Sequence, residues 1–87
     1  MGKSTAPPLA GPAIRKARHG KFMTQAEVAG QVAELVKPDG IRFDRSSLSL
    51  IESGDVKRPH PKVVGALAHV LGLEADEIYD DEEAEAA

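Results

Sequence analysis

Apolar side chains recur along this chain at helical spacing, in short runs closed by Gly, Pro or Asp. Ile14 and Ala17, at i and i+3, predict a first helix with Pro12 in its first position, where a missing N–H costs nothing. It runs to about His19 before Gly20 stops it. Thr24-Gln25-Ala26-Glu27 is the clearest start signal, a capping box with Met23 and Val28 as its hydrophobic staple. Val28, Val32, Leu35 and Val36 follow at i, i+4, i+7 and i+8, so the second helix is expected to reach about Lys37, where Pro38-Asp39-Gly40 breaks it. Asp44 as N-cap, Phe43 and Leu48 as staple and Gly54 as the left-handed terminal residue predict a short third helix over 44–53. A fourth, from about Pro61 to Leu71, buries Val63, Val64, Leu67, Val70 and Leu71 and stops at Gly72; a fifth, Ala75–Tyr79, adds Ile78. The pattern is that of an all-α domain over residues 11–79, with 1–10 expected as a flexible arm and 80–87 as a disordered acidic tail.

The third helix has two unlike faces. Leu48 and Ile51, at i and i+3, anchor it on a core, while Arg45, Ser46, Ser49 and Leu50 share the other side. One fixed cation, small hydroxyls and a lone apolar side chain suit a DNA major groove, which offers base-edge acceptors and thymine methyls. Arg45 reads as a contact to a base or a phosphate rather than as a merely solvated arginine. Leu50 leaves three uses open: completing the edge of the core, covering a thymine methyl, or meeting a protein partner. Further on, Lys57-Arg58 lies in a loop stiffened by Pro59 and Pro61, a composition that fits backbone positioning on DNA.

Charge sharpens this picture once it is divided along the chain. The 87 residues carry a net −3, but residues 1–62 hold all 11 Lys and Arg against six acids, whereas residues 63–87 hold eight acids and no Lys or Arg. A basic working surface with an acidic segment behind it is the expectation. With no cysteine, neither a disulfide nor a thiolate metal site is possible. No apolar run approaches the ~20 residues of a membrane span and no apolar leader opens the chain, so a cytoplasmic protein without membrane contact is expected. Catalysis finds little support: His19, His60 and His69 fall on separate elements, and Ser46, Ser47 and Ser49 have no glycine elbow. Asp80–Glu83 is an acid run without a built cage. Gly2-Lys3-Ser4-Thr5 lacks the upstream glycine of a phosphate loop, and Ala6 stands where a myristoylation signal needs Ser or Thr. No enzyme activity, metal or cofactor is expected.

Ile14-Arg15-x-x-Arg18, Met23-Thr24-Gln25-x-Glu27-x-Ala29, Ser46-x-Leu48-Ser49-x-Ile51-Glu52-x-Gly54, Lys57-Arg58-Pro59 and Leu67-Ala68-x-x-Leu71-Gly72 follow one another in order. Together, over about residues 12–79, they resemble the phage repressor/Cro-type helix-turn-helix family, also called XRE-like. The resemblance implies a five-helix lambda-repressor-like domain with the third helix as the recognition helix. It implies base contacts by Arg45, Ser46 and Leu50, and Ser49, on the same face, is expected to contact bases with them. Backbone contacts are implied for Arg15, Arg18, Thr24, Gln25, Lys57 and Arg58, with Gln25 on a phosphate, and an ion pair of Arg18 with Glu52.

One stretch departs from the family pattern. Fourteen residues separate Ala29 from Asp44, where members of that family usually have about five and a tight turn of about 3–4 residues sets the angle between the two helices. The second helix is therefore expected to be longer and its connection to be a true loop. The resulting expectation is a DNA-binding transcriptional regulator, a repressor working as a homodimer on a two-fold-related double-stranded operator. The alternative is a protein-interaction module in the manner of an antitoxin, binding a toxin or a polymerase component.

Overall fold

A computed structural model describes residues 7–80. Among the described residues there are five α-helices: α1 (Gly11–Gly20), α2 (Gln25–Val36), α3 (Arg45–Ser53), α4 (Pro61–Leu71) and α5 (Ala75–Ile78), with one 3₁₀ turn, Lys37–Asp39, extending α2. The domain is all-α, and the one β-type pairing among the described residues is an isolated antiparallel bridge between Leu9 and Tyr79.

The helices start and stop where local chemistry satisfies their free backbone groups. Thr24 Oγ1 accepts from Glu27 N at 3.1 Å while Glu27 Oε1 accepts from Thr24 N at 2.8 Å, closing the expected capping box. His60 caps α4 through its ring, Nδ1 accepting from Lys62 N at 3.0 Å, which assigns the histidine a structural use. Gly54, at φ 89°, ends α3 in the left-handed conformation its sequence position foretold.

The core is aliphatic. Ile14, Val28, Val32, Val36, Leu48, Ile51, Leu67 and Ile78 are essentially inaccessible to solvent. α2 lies across α4 and α3, and α1 packs on α3, α4 and α5. Three expectations need adjusting. Leu35, placed in the buried stripe of α2, is 45% exposed, because Val28, Val32 and Val36 alone already fill the line facing α4 and α3. Val64 and Val70 are half-buried at the edge of the core, and Ala66 is buried instead. Lastly, the N-terminal arm does not extend to residue 10. Pro8 and Leu9 are buried, Leu9 N donates to Lys57 O at 2.9 Å, and Ala10 N donates to Ile78 O at 2.8 Å. Asp80 N donates to Pro8 O at 2.8 Å, so the expected acidic tail likewise begins tied to the domain at its first residue. The remainder of the expected arm and tail, residues 1–6 and 81–87, lies outside the described residues.

Two backbone features carry stability predictions. A Cβ on Gly11 would stand 2.5 Å from Glu52 O and 2.7 Å from Ile51 O, so the start of α1 touches the last turn of α3 as only glycine allows. Gly11→Ala forces backbone apart and is expected to destabilise the domain by at least about 2 kcal/mol, read from denaturant unfolding. Phe22 lies in the left-handed region at φ 57° and is 95% exposed, holding strain without burying its ring. Phe22→Gly relieves about 1–2 kcal/mol of strain against a smaller loss of chain entropy, so a gain of roughly 0.5–1 kcal/mol is expected in the same measurement.

Candidate nucleic-acid interface

Asp44 fixes where α3 begins. Its Oδ1 accepts from Ser47 N at 3.0 Å, and Ser47 Oγ accepts from Asp44 N at 3.3 Å, a reciprocal cap in which Ser47 fills the place of the usual Glu or Gln. The bond from the Ser47 backbone, then that from the Ser47 hydroxyl, hold the Asp44 carboxyl below its ordinary pKa against the opposing effect of desolvation, with the charge of Arg42 adding to them. Beyond the other end of α3, Leu50 O accepts from Asp55 N at 2.9 Å and Val56 N at 3.1 Å, so the loop leaving the helix folds back on it. Leu48 and Ile51 are buried beneath, and Arg45, Ser46, Ser49 and Leu50 are exposed on the opposite side, as the sequence spacing requires.

A buried polar network sets the position of that helix. Arg18 Nε donates to Glu52 Oε2 at 2.7 Å and Arg18 Nη2 to Glu52 Oε1 at 2.9 Å, a two-pronged pair with side chains only 10% and 4% exposed. Arg18 Nη1 also donates to Met23 O at 3.1 Å, and Gln25 Nε2 donates to Glu52 Oε1 at 3.1 Å. The network therefore joins α1, the turn before α2, the first residue of α2 and the last turn of α3. Burial raises the Glu52 pKa, but the hydrogen bonds from Arg18 and Gln25 together with the charges of Arg18 and Arg15 outweigh it and leave the carboxyl below its ordinary value.

The expected contact residues fall into two groups. Arg15, Arg18, Thr24, Gln25 and Arg45 line one open hollow at the N-terminal end of α2, together with Met23 and Ala26. Arg45 also borders a neighbouring hollow formed with Ala29, Gly30 and Phe43, so it stands where α3 begins beside α2. Lys57 belongs elsewhere, in a hollow with Gly11, Pro12 and Gly54 at the other end of α3. Arg18 and Gln25 have a structural use that alters their expected roles. Arg18 is buried and engaged by Glu52 and Met23, which makes it a positioning residue rather than a surface cation. Gln25 commits one amide N–H to Glu52 and keeps the other for a ligand. Arg15 and Arg45 are the exposed cations of the hollow.

Three features were not read from the sequence. Ser47 at the third helical position was a visible cap partner. Arg42, exposed and close enough for its charge to act on Asp44, is a further cation at the entry to α3. The Gln25–Glu52 bond spans 27 positions and has no local signal. Among the described residues no helix is long and apolar enough to cross a membrane. Comparison with protein-family models, curated proteins and solved structures finds no significant match for this chain.

Glu52 links stability to pH with a definite sign. Its folded pKa lies below the ordinary glutamate value of about 4.3, so its contribution is complete above that pH and is lost as the pH falls through the depressed value. Glu52→Gln leaves Arg18 without its counter-charge and is expected to cost about 3 kcal/mol at neutral pH. The gap between wild type and variant should close on acidification below about pH 4, because protonated Glu52 is then itself neutral. Denaturant midpoints for both proteins between neutral and acid pH measure this, and a constant gap contradicts the account. Asp44 affects both proteins alike and drops out of the difference.

Proposed function

We propose that this chain is a lambda-repressor-like helix-turn-helix protein that binds specific double-stranded DNA as a transcriptional regulator, with α3 as its recognition helix. The observation that carries the reading is the meeting of Arg15, Thr24, Gln25 and Arg45 in one hollow at the start of α2, beside the exposed Arg45–Ser46–Ser49–Leu50 face of α3. The positive end of the α2 dipole, a free amide donor on Gln25 and the exposed guanidinium of Arg15 suit a backbone phosphate, leaving Arg45, in the first turn of α3, for a base edge. With a phosphate held there, the adjoining face of α3 is turned to the major groove, where Ser46 and Ser49 offer hydroxyls and Leu50 an apolar contact. The buried Arg18–Glu52–Gln25 network keeps the two surfaces in register.

One short recognition helix reads only a few base pairs, so two copies on half-sites about 34 Å apart fit the proposal, in the format of a small repressor acting in the cytoplasm. Lys57 and Arg58 would then meet the backbone from the far end of α3. A second reading, a protein-binding module, draws on one observation: Leu50 is 45% exposed on the same face.

Arg45 and Arg15 separate base reading from phosphate binding. Selection of bound genomic fragments supplies a cognate duplex, and a scrambled duplex serves as its control. Arg45→Ala is expected to cost about 1–3 kcal/mol on the cognate duplex and far less on the scrambled one. Arg15→Ala should weaken both duplexes alike and lower the log–log salt slope by about one. Equal losses for both variants on both duplexes make Arg45 a phosphate contact. No loss for either variant rejects DNA binding by this face in favour of a protein partner.

A further inference from the structure

The extension of α2 has no part in the proposed DNA contact. It carries the chain past Val32 through Leu35 and Val36 into the 3₁₀ turn Lys37–Asp39, and its far end lies about three turns of helix from the basic hollow. What it builds is a groove against α4. Leu35 and Asp39 stand on one side, Lys62, Gly65 and His69 on the other, and Ala66 lies on the floor.

Three properties of this groove point to one occupant. Leu35 is one of three large apolar side chains exposed among the described residues, at 45%. Across from it, a Cβ at Gly65 would meet nothing within 4 Å, so the α4 wall leaves room for an incoming side chain. The two walls also carry opposite charges. Asp39 and Lys62 are both exposed, and among the described residues neither side chain has a hydrogen bond or ion pair. An apolar knob, a space and a pair of unlike charges on the same patch form a self-complementary set. Under a two-fold operation Asp39 of one copy faces Lys62 of the other, and the reverse contact forms at the same time.

We infer that this α2–α4 groove is the surface through which two copies of the chain associate, each Leu35 packing over the partner's Gly65 and Asp39–Lys62 pairs closing both rims. The proposal supplies the dimer that the DNA-binding reading calls for, but it stands on its own geometry and is tested without DNA. Because the groove lies at the opposite end of α2 from Arg15 and Gln25, association leaves the basic hollow open.

Sedimentation of the full chain over a concentration series at low salt is the test. Wild type is expected to dimerise. Leu35→Glu, which places a charge in each copy's contact, should weaken association at least tenfold, and an unchanged thermal melt shows that the fold persists. Charge reversal gives the sharper readout. Asp39→Lys leaves each patch with two positive rims and Lys62→Glu leaves two negative rims, so each variant alone should be monomeric where wild type is dimeric. Mixed one to one they should form a heterodimer, and the double variant should regain the homodimer. A wild type that stays monomeric at all concentrations overturns the proposal. Single variants that dimerise as well as wild type overturn it too, placing the contact elsewhere. DNA affinity measured in parallel separates the two readings: a dimer of this geometry without DNA binding rejects only the functional proposal.

Discussion

The Arg18–Glu52 pair holds together segments that share no local sequence. Thirty-four positions separate the two residues, and their bond joins the end of α1 to the last turn of α3. Taking both charges out of water is costly, and a pair of apolar side chains of similar volume can stabilise a helix contact equally well. What an ion pair adds is direction. Two parallel N–H···O bonds fix a carboxylate in the plane of a guanidinium, and the extra donors to and from Met23 and Gln25 leave few other arrangements in which every group is satisfied. Apolar packing of Leu48 and Ile51 keeps α3 on the core, whereas the network decides how it is rotated there.

Gly11 supplies the second point of attachment. The first residue of α1 meets the carbonyl oxygens of Ile51 and Glu52 directly, while Arg18, two turns later, holds the Glu52 side chain. Two contacts from one helix, one with backbone and one with a side chain, restrain α3 against both translation and rotation. The face carrying Arg45, Ser46, Ser49 and Leu50 therefore needs no help from the loop that leads into it. This explains how a connection much longer than a tight turn is compatible with a well-placed α3. After the 3₁₀ turn the chain returns through half-buried Ile41 and buried Phe43, and Asp44 then starts the helix with its own cap.

Charge is segregated by the fold as well as by the sequence. Arg15 and Arg18 of α1 and Arg45 of α3 gather around the beginning of α2, whereas Asp76 and Glu77 of α5 and its N-cap Glu74 are exposed on a helix that packs on α1. The chain's net charge is thus a poor guide to the field at any one surface, since exposed charges more than about a Debye length of ~8–10 Å apart are largely screened from each other.

Much was legible in the residues themselves because it depends on neighbours within one turn of helix. Thr24 with Glu27, Asp44 as a cap, Gly54 in the left-handed region and the buried spacing of Val28, Val32 and Val36 are local consequences of hydrogen-bond geometry and a 3.6-residue period. The Arg18–Glu52 bond followed from a family resemblance, not from anything local. Periodicity alone could not show that Leu35 faces outward, since a residue at the edge of an apolar stripe is buried only if another element covers it. Nor could composition reveal that Leu9, in a Pro-rich segment, bridges to Tyr79, or that Gln25 turns one amide donor inward to Glu52. The sequence by itself determined the helices, most of their caps and the main buried line of each. Which faces meet, which charges are neutralised and which side chains are left for a partner was decided only by tertiary packing, because those contacts join residues tens of positions apart.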